Sequence, residues 1–266
     1  MPGLDTTELL DLLREVAAAV IQPRFRALTD EQVTEKSPGD LVTVADREAE
    51  ALITRRLREA YPDALVLGEE AVAEDRNLLD RYATAAHAFT VDPLDGTRNF
   101  VHGRTAFAVM VAELRGPEVV RSWIWQPELH TGYAAERGSG AWRDGVRMPA
   151  LPDWDGGRDL VGRVSRPELA GRTAAGLAPL ADTWWSCGVD YPRLASGETD
   201  FLWYRGGGAP WDHAPGSLLL REVGGYVGHA DGTVYDPRHA APGVVAARAR
   251  AAYDAVCAGV PTLVSG

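Results

Sequence analysis

The sequence predicts a mixed α/β fold, and three observations carry that prediction. Segments with helical spacing of apolar residues alternate with short apolar runs of strand length. Two of those runs end directly in acidic clusters, Gly68-Glu69-Glu70 and Asp92-Pro93-Leu94-Asp95. A Pro/Gly/Asp-rich stretch from Leu151 to Gly157 then divides the chain into two halves, 1–150 and 151–266.

Taken in order, Thr7 to Leu28 reads as an amphipathic helix with Leu9, Leu10, Leu13, Val16 and Val20 on one face. The turn cluster Ser37-Pro38-Gly39-Asp40 stops it and leads into an extended piece, Leu41 to Val44. A second helix is expected over Ala45 to Ala60, with Ala49, Leu52, Ile53 and Leu57 as its buried stripe, closed by Tyr61-Pro62-Asp63. Ala64 to Leu67 and Ala88 to Val91 are the strands that deliver the acidic clusters. Phe107 to Leu114, Val119 to Trp125 and Gly132 to Glu136 read as an antiparallel meander, with Asp144-Gly145 as a hairpin turn. In the second half, strands are expected at Val161 to Val164, Thr183 to Cys187 and Phe201 to Tyr204. A helix there is opened by Asp212 and closed by Gly224-Gly225.

Composition narrows the function. A chain of 266 residues with 45% hydrophobic content can bury a sizeable core. A net charge of -11 argues against a nucleic-acid backbone as partner. Met1 to Glu8 carry no basic stretch followed by an apolar one, so no signal peptide is expected, and no run approaches the roughly 20 apolar residues of a membrane span. Cys187 and Cys257 lack metal-ligand spacing and read as reduced thiols of a cytoplasmic protein. Lys36 is the only lysine in an arginine-rich chain.

The chemistry resides in the acids. Hard divalent cations such as Mg²⁺ prefer oxygen ligands. Pro93 restricts the loop between Asp92 and Asp95, and Gly96 permits a turn other residues resist. Such a loop can aim both carboxylates at one point and expose the Leu94 carbonyl. Backbone N–H groups at Gly96 and Thr97, near a helix start, suit a phosphate oxygen. Taken singly, each feature has a plainer reading: a surface turn at 92–96, a solvated pair at Glu69-Glu70, a helix cap at Asp212.

Five segments in order, however, resemble the inositol monophosphatase family: Asp40-Leu-Val-Thr-Val-Ala-Asp46, Gly68-Glu-Glu70, Asp92-Pro-Leu-Asp-Gly-Thr-Arg-Asn-Phe100, Gly138-Ser-Gly-Ala141 and Trp211-Asp-His-Ala-Pro-Gly216 with Gly224-Gly225. The resemblance implies a layered αβαβα sandwich of the inositol monophosphatase/fructose-1,6-bisphosphatase type. It implies one Mg²⁺ on Glu69, Asp92 and the Leu94 carbonyl, a second on Asp92, Asp95 and Asp212, and a weaker third that again uses Glu69. Glu70 would then be a supporting or third-site residue, and Lys36 falls on a position near the metals. Thr97, oriented by Asp46, would help activate the attacking water. Li⁺ would inhibit. The resemblance also implies a homodimer and a small phosphorylated polyol or sugar as substrate, inositol monophosphate first. Histidinol phosphate is the alternative, followed by fructose bisphosphate and 3′-phosphoadenosine substrates. A non-catalytic metal- or phosphate-binding regulator is the alternative of another class.

The second half departs from the pattern. Where the family usually has a glutamate before the Trp-Asp pair, this chain has Tyr204-Arg205-Gly206-Gly207-Gly208-Ala209-Pro210. Arg205 is therefore expected to face the substrate and to favour additional negative charge. Cys187 takes the place of a small residue of the polyol pocket. Six of the eight tryptophans, Trp123, Trp125, Trp142, Trp184, Trp185 and Trp203, are expected mainly in the core with an interface as the alternative, and His102 and His213 outside the chemistry.

Overall fold

The N-terminal periodicity forms α1 (Thr6–Val16), capped by Asp5 and Glu8 in a reciprocal box. The helix continues as a π turn (Ala17–Ile21) and a 3-10 turn (Gln22–Arg24), short of the expected Leu28. Pro23 removes a backbone donor there, and Phe25 leaves in extended conformation. The computed structural model describes residues 3–37, 40–206, 208–239 and 243–265. Pro38-Gly39 of the expected turn and Gly207 of the glycine run lie outside the described residues.

β1 (Val33–Ser37) and β2 (Asp40–Thr43) pair as an antiparallel hairpin. β1 escaped the sequence reading because Val33-Thr-Glu-Lys36 carries little apolar pattern. α2 (Val44–Ala60) begins at Val44, because Thr43 and Asp46 cap it in a second reciprocal box. β3 (Leu65–Gly68) is followed by two short helices with no clear sequence signature, α3 (Glu69–Glu74) and α4 (Asn77–Thr84). β4 (His87–Asp95) runs four residues beyond its expected end and passes into α5 (Thr97–Val101). The meander follows as β5 (Ala108–Arg115), β6 (Glu118–Gln126), β7 (Thr131–Glu136), β8 (Gly140–Arg143) and β9 (Val146–Arg147). Asp144 and Gly145, both at positive φ, make the last hairpin turn.

The second half contributes β10 (Gly162–Val164), β11 (Ala181–Asp182), α6 (Cys187–Ala195), β12 (Phe201–Tyr204), α7 (Pro210–Glu222), β13 (Tyr226–His229), β14 (Val244–Ala247) and α8 (Arg250–Ser265). The strand expected at Thr183 to Cys187 is not there. Pairing with β10 stops at Asp182, Trp185 turns into positive φ, and Cys187 opens α6.

Strands β3 to β9 form one seven-stranded sheet in sequence order, and the smaller sheet has five strands in the order β11-β10-β12-β14-β13. Alternation along the large sheet assigns its two faces. Phe89, Val91, Val109, Val111 and Trp123 pack against Leu9 and Leu13 of α1 and Ile53 of α2. Ala88, Met110 and Ile124 face Tyr191 and Leu194 of α6 and Leu218 and Leu219 of α7. Those two helices also meet Leu202, Val227 and Ala246 of the small sheet. Its far face, Phe201, Trp203 and Val245, packs on Tyr253 and Val256 of α8. The layers are therefore α, β, α, β, α. No helix among the described residues is long and apolar enough to cross a membrane.

Candidate active site

The acidic residues gather because of how β3 and β4 pair. The two strands are parallel, with Gly68 opposite Val91, so Glu69 and Asp92 leave neighbouring strand ends side by side. Against β5, β4 then slips register: Asp92 pairs with Met110 and Asp95 with Ala108, which leaves a bulge at Pro93-Leu94. Bulges accommodate proline and re-aim side chains. Gly96 completes the turn at φ 82°, where an added Cβ would lie 2.9 Å from the Ala106 carbonyl oxygen and 3.0 Å from Ser186 Cβ. Asp212 arrives from the other half, in the first turn of α7. Pro210 suits that helix start because no intrahelical donor is needed there. Asp212 is thus an early helical residue and Ala209 the cap, so the plainer reading of Asp212 as a cap does not hold.

Glu69, Glu70, Asp92, Asp95 and Asp46 each have a protein partner. Lys36 Nζ bridges Glu69 Oε1 at 2.7 Å and Glu70 Oε1 at 2.8 Å. Asp92 Oδ1 accepts from the Leu94 N–H at 3.1 Å. Asp95 accepts from the Ser186 hydroxyl and from the N–H groups of Cys187 at 3.1 Å and Gly188 at 2.7 Å. The Thr97 hydroxyl lies 2.9 Å from the Leu94 carbonyl oxygen and 3.0 Å from Asp46 Oδ1, and its single proton serves one of them at a time. Asp46 is itself fixed by the Thr43 N–H and hydroxyl, at 2.8 and 2.6 Å.

These groups are short of positive charge. Burial, then Glu69, Asp95 and Asp212, pushes Asp92 well above the carboxylate range. Burial, then Glu69 and Asp95, does the same to Asp212. Burial raises Glu69 to about 7 against the pull of Lys36, and Asp95 and Asp46 to about 6 against their hydrogen-bond donors. Among the described residues, no three His, Cys, Asp or Glu side chains converge tightly enough to enclose an ion as they stand. The donor set nevertheless fits a hard divalent cation: oxygen ligands, largely withdrawn from water, with one ammonium among them.

Beside Asp95 and Asp212 lies a hollow of about 180 Å³ that is also lined by Ser165, Thr183, Trp185, Ser186, Cys187, Asp190 and Tyr204. Arg205 is not in it. The Arg205 side chain is exposed, and only its backbone N–H reaches toward the hollow, donating to Ser165 Oγ at 3.3 Å. β12 ends at Tyr204, which lines the hollow, and Arg205 follows it with its side chain exposed. Tyr204 donates to Asp190 Oδ2 at 2.7 Å, while Asp190 Oδ1 accepts from the Trp184 N–H at 2.8 Å. The buried Cys187 thiol is pushed well above its ordinary pKa by burial, then by Asp95 and Asp212. His213 is buried against Tyr191 and held neutral, its pKa lowered to about 3 by burial, and His102 is exposed on the Arg98 carbonyl.

Glu50 is the residue sequence reasoning passed over. Its carboxylate accepts from the N–H groups of Glu70 at 2.7 Å and Ala71 at 2.9 Å, the first turn of α3, and so fixes the segment that carries Glu69. Its spacing of one helical turn from Asp46 on α2 was the available signal. Asp190 had no such signal, since it acts across helix and strand.

The family model described as "Inositol monophosphatase family" matches residues 5–265. The inositol-1-monophosphatase of Rhizobium meliloti is 36% identical over 226 residues, covering 78% of this chain and 79% of its own. A Pseudomonas aeruginosa protein named Nus factor SuhB is 32% identical over 222 residues, covering 76% of each. Among solved structures, a Thermotoga maritima IMPase superimposes with a TM-score of 0.80 at 26% identity, covering 96% of each chain.

Proposed function

The chain belongs to the inositol monophosphatase family, and from that premise we propose that it is a Mg²⁺-dependent phosphomonoesterase of small phosphorylated alcohols. Family membership and the relatives' names support phosphatase activity and leave the substrate open. The observation that carries the reading is the gathering of buried Asp92 and Asp95 with half-buried Glu69 and Asp212, whose carboxylate pKa values are raised by burial and, except at Asp95, by neighbouring carboxylates.

Glu69, Asp92, Asp95, Asp212 and the Leu94 carbonyl would hold the cations. Bound Mg²⁺ would supply an activated water and neutralise phosphoryl oxygens. The protein's own contribution is positional. The turn at Gly96 and the opening of α5 at Thr97 offer backbone N–H groups without intrahelical acceptors to a phosphate oxygen. Asp46 holds Thr97, whose hydroxyl can orient a water. The hollow beside Asp212 would receive the leaving alcohol. Cys187 serves as a wall there, because a buried thiol with a raised pKa is a poor nucleophile. Water is then the nucleophile, and no phosphoryl-enzyme forms.

Phosphate release with and without Mg²⁺, over inositol, sugar, histidinol and nucleotide phosphates, tests the reading. Release that needs Mg²⁺ supports it, and equal release in excess chelator refutes it. A second reading rests on the similarity to the protein named Nus factor SuhB, and assigns this chain a binding role with another protein. Absence of turnover over the whole panel would favour that reading.

A further inference from the structure

The tandem tryptophans at 184 and 185 have opposite environments. Trp184 is sandwiched between two guanidinium groups, Arg163 at 3.7 Å and Arg193 at 4.3 Å from its ring centroid. Trp185 has 36% of its surface exposed, lines the hollow that also contains Asp95 and Asp212, and has no ring or cation contact among the described residues. Its backbone sits at φ 59°, a region where a bulky side chain is an outlier. Strain of this kind persists only where neighbours impose it. Here the neighbours are identifiable. Asn99 Nδ2 donates to the carbonyls of Trp184 at 2.8 Å and Trp185 at 3.3 Å. The Trp185 N–H donates to Thr183 Oγ1 at 3.3 Å, and Ser186, the next residue, is hydrogen-bonded to Asp95. The protein thus holds a large apolar ring in a costly conformation, one residue from the acidic centre, without packing it into the core.

Three polar side chains around the same hollow, Ser165, Thr183 and Asp190, already accept hydrogen bonds from the protein. Tyr204 and the Trp184 N–H occupy the two oxygens of Asp190. Ser165 Oγ accepts from Arg205 N and Thr183 Oγ1 from Trp185 N. Among the described residues, no carboxylate other than Asp95, Asp190 and Asp212 borders the hollow. With Asp95 and Asp212 committed to the proposed cations, a polyhydroxylated alcohol would bury several O–H donors there against acceptors already engaged, which is costly. A flat unsaturated ring would instead cover the indole and lose no hydrogen bond.

We propose that Trp185 is a specificity-determining residue, and that its indole face receives a leaving alcohol bearing a flat aromatic or heteroaromatic ring in preference to a polyol. The inference rests on the phosphomonoesterase reading and names the substrate class of that site. Glycine is the residue least strained at positive φ, so Trp185→Gly is expected to fold.

Steady-state phosphate release in Mg²⁺ is measured for phenethyl phosphate, an imidazolylethyl phosphate, glycerol phosphate and inositol monophosphate. Wild type is expected to favour the two ring esters. Trp185→Gly should raise KM for both of them roughly tenfold, the scale of an aromatic contact, while kcat/KM for glycerol phosphate stays within about twofold. Trp185→Phe should restore most of the preference. An unchanged ranking in Trp185→Gly overturns the inference while leaving the phosphatase reading intact. So does a wild-type preference for polyols. Loss of activity toward all four esters with a change in sedimentation would make Trp185 a contact between subunits, and would also overturn it. Failure of wild type to release phosphate from any ester would fell the phosphatase reading itself.

Discussion

The two walls of the site are built by different means. On the carboxylate wall, each position follows from a local rule: a parallel strand pair sets Glu69 beside Asp92, a bulge sets Asp95, and a capping box fixes Asp46. On the opposite wall, Trp185, Asp190 and Tyr204 come from a loop, a helix and a strand, and meet only through hydrogen bonds across the fold. The first wall is a buried excess of negative charge, and the second is apolar surface with its polar groups already paired. On the proposed reading, chemistry is separated from recognition, and each wall should fail independently of the other.

The largest effect is expected at the first wall. Asp92→Asn should lower Mg²⁺-dependent phosphate release by roughly a thousandfold, since neutral amide oxygen is a weak ligand where charge neutralisation is required. The same variant should melt no lower than wild type in the absence of metal, because it removes a buried charge from a repelling cluster. A thermal melt in chelator beside the activity assay checks both parts. A lower melting temperature with activity kept would invert the assignment of this wall to chemistry.

The next effect concerns the scaffold of the second wall. Asp200, just before β12, is buried, with Arg158 Nη2 at 2.6 Å, Arg248 Nη1 at 2.6 Å and the Val161 N–H at 2.9 Å. Burial alone would raise its pKa, but these donors outweigh burial and hold it below its ordinary value. A depressed carboxylate stabilises the fold above its unfolded pKa of about 4 and loses that contribution as the pH falls through the folded value. Asp200→Asn should therefore cost about 2–4 kcal/mol near neutral pH, and the difference from wild type should shrink below about pH 4. Urea unfolding across that range reads it. A difference independent of pH would mean that the ion pairs contribute little.

A smaller effect is expected where the walls are tied. Glu222, at the end of α7, accepts from the N–H groups of Gly138 and Gly140, both at 2.8 Å. This explains the Gly138-Ser-Gly140 motif as a clamp between the helix that carries Asp212 and the large sheet. Glu222→Ala should cost about 1–3 kcal/mol by leaving those donors without a protein partner. Denaturant unfolding measures it, and an unchanged midpoint would make the clamp incidental.

Arg205→Glu should do least, leaving the substrate ranking unchanged, because the side chain is exposed and does not line the hollow. A changed ranking would bring Arg205 back to the recognition wall.

The same contrast explains what could be read before the structure. Helix α2, the meander and the Asp144-Gly145 hairpin follow from periodicity and turn chemistry, and family resemblance supplied the layered architecture. Helices α3 and α4 are too short for a periodic signal to develop. The strand expected at Thr183 to Cys187 failed because apolar Trp184-Trp185 resembles a strand core, whereas Asn99 and Asp190 hold it as a loop. The glycine run after Arg205 carries no periodic signal, so the sequence could not fix where that side chain lies. Spacing locates groups that act from one strand end, and it loses them where a tertiary contact decides which side faces inward.

The proposed chemistry turns on acids that bind a cation. Calorimetric titration of the chelator-treated protein with Mg²⁺, for wild type and Asp92→Asn, addresses this directly. Saturable binding by wild type that is abolished or weakened at least about tenfold in the variant is the predicted result. No binding by wild type, or undiminished binding by the variant, would contradict it.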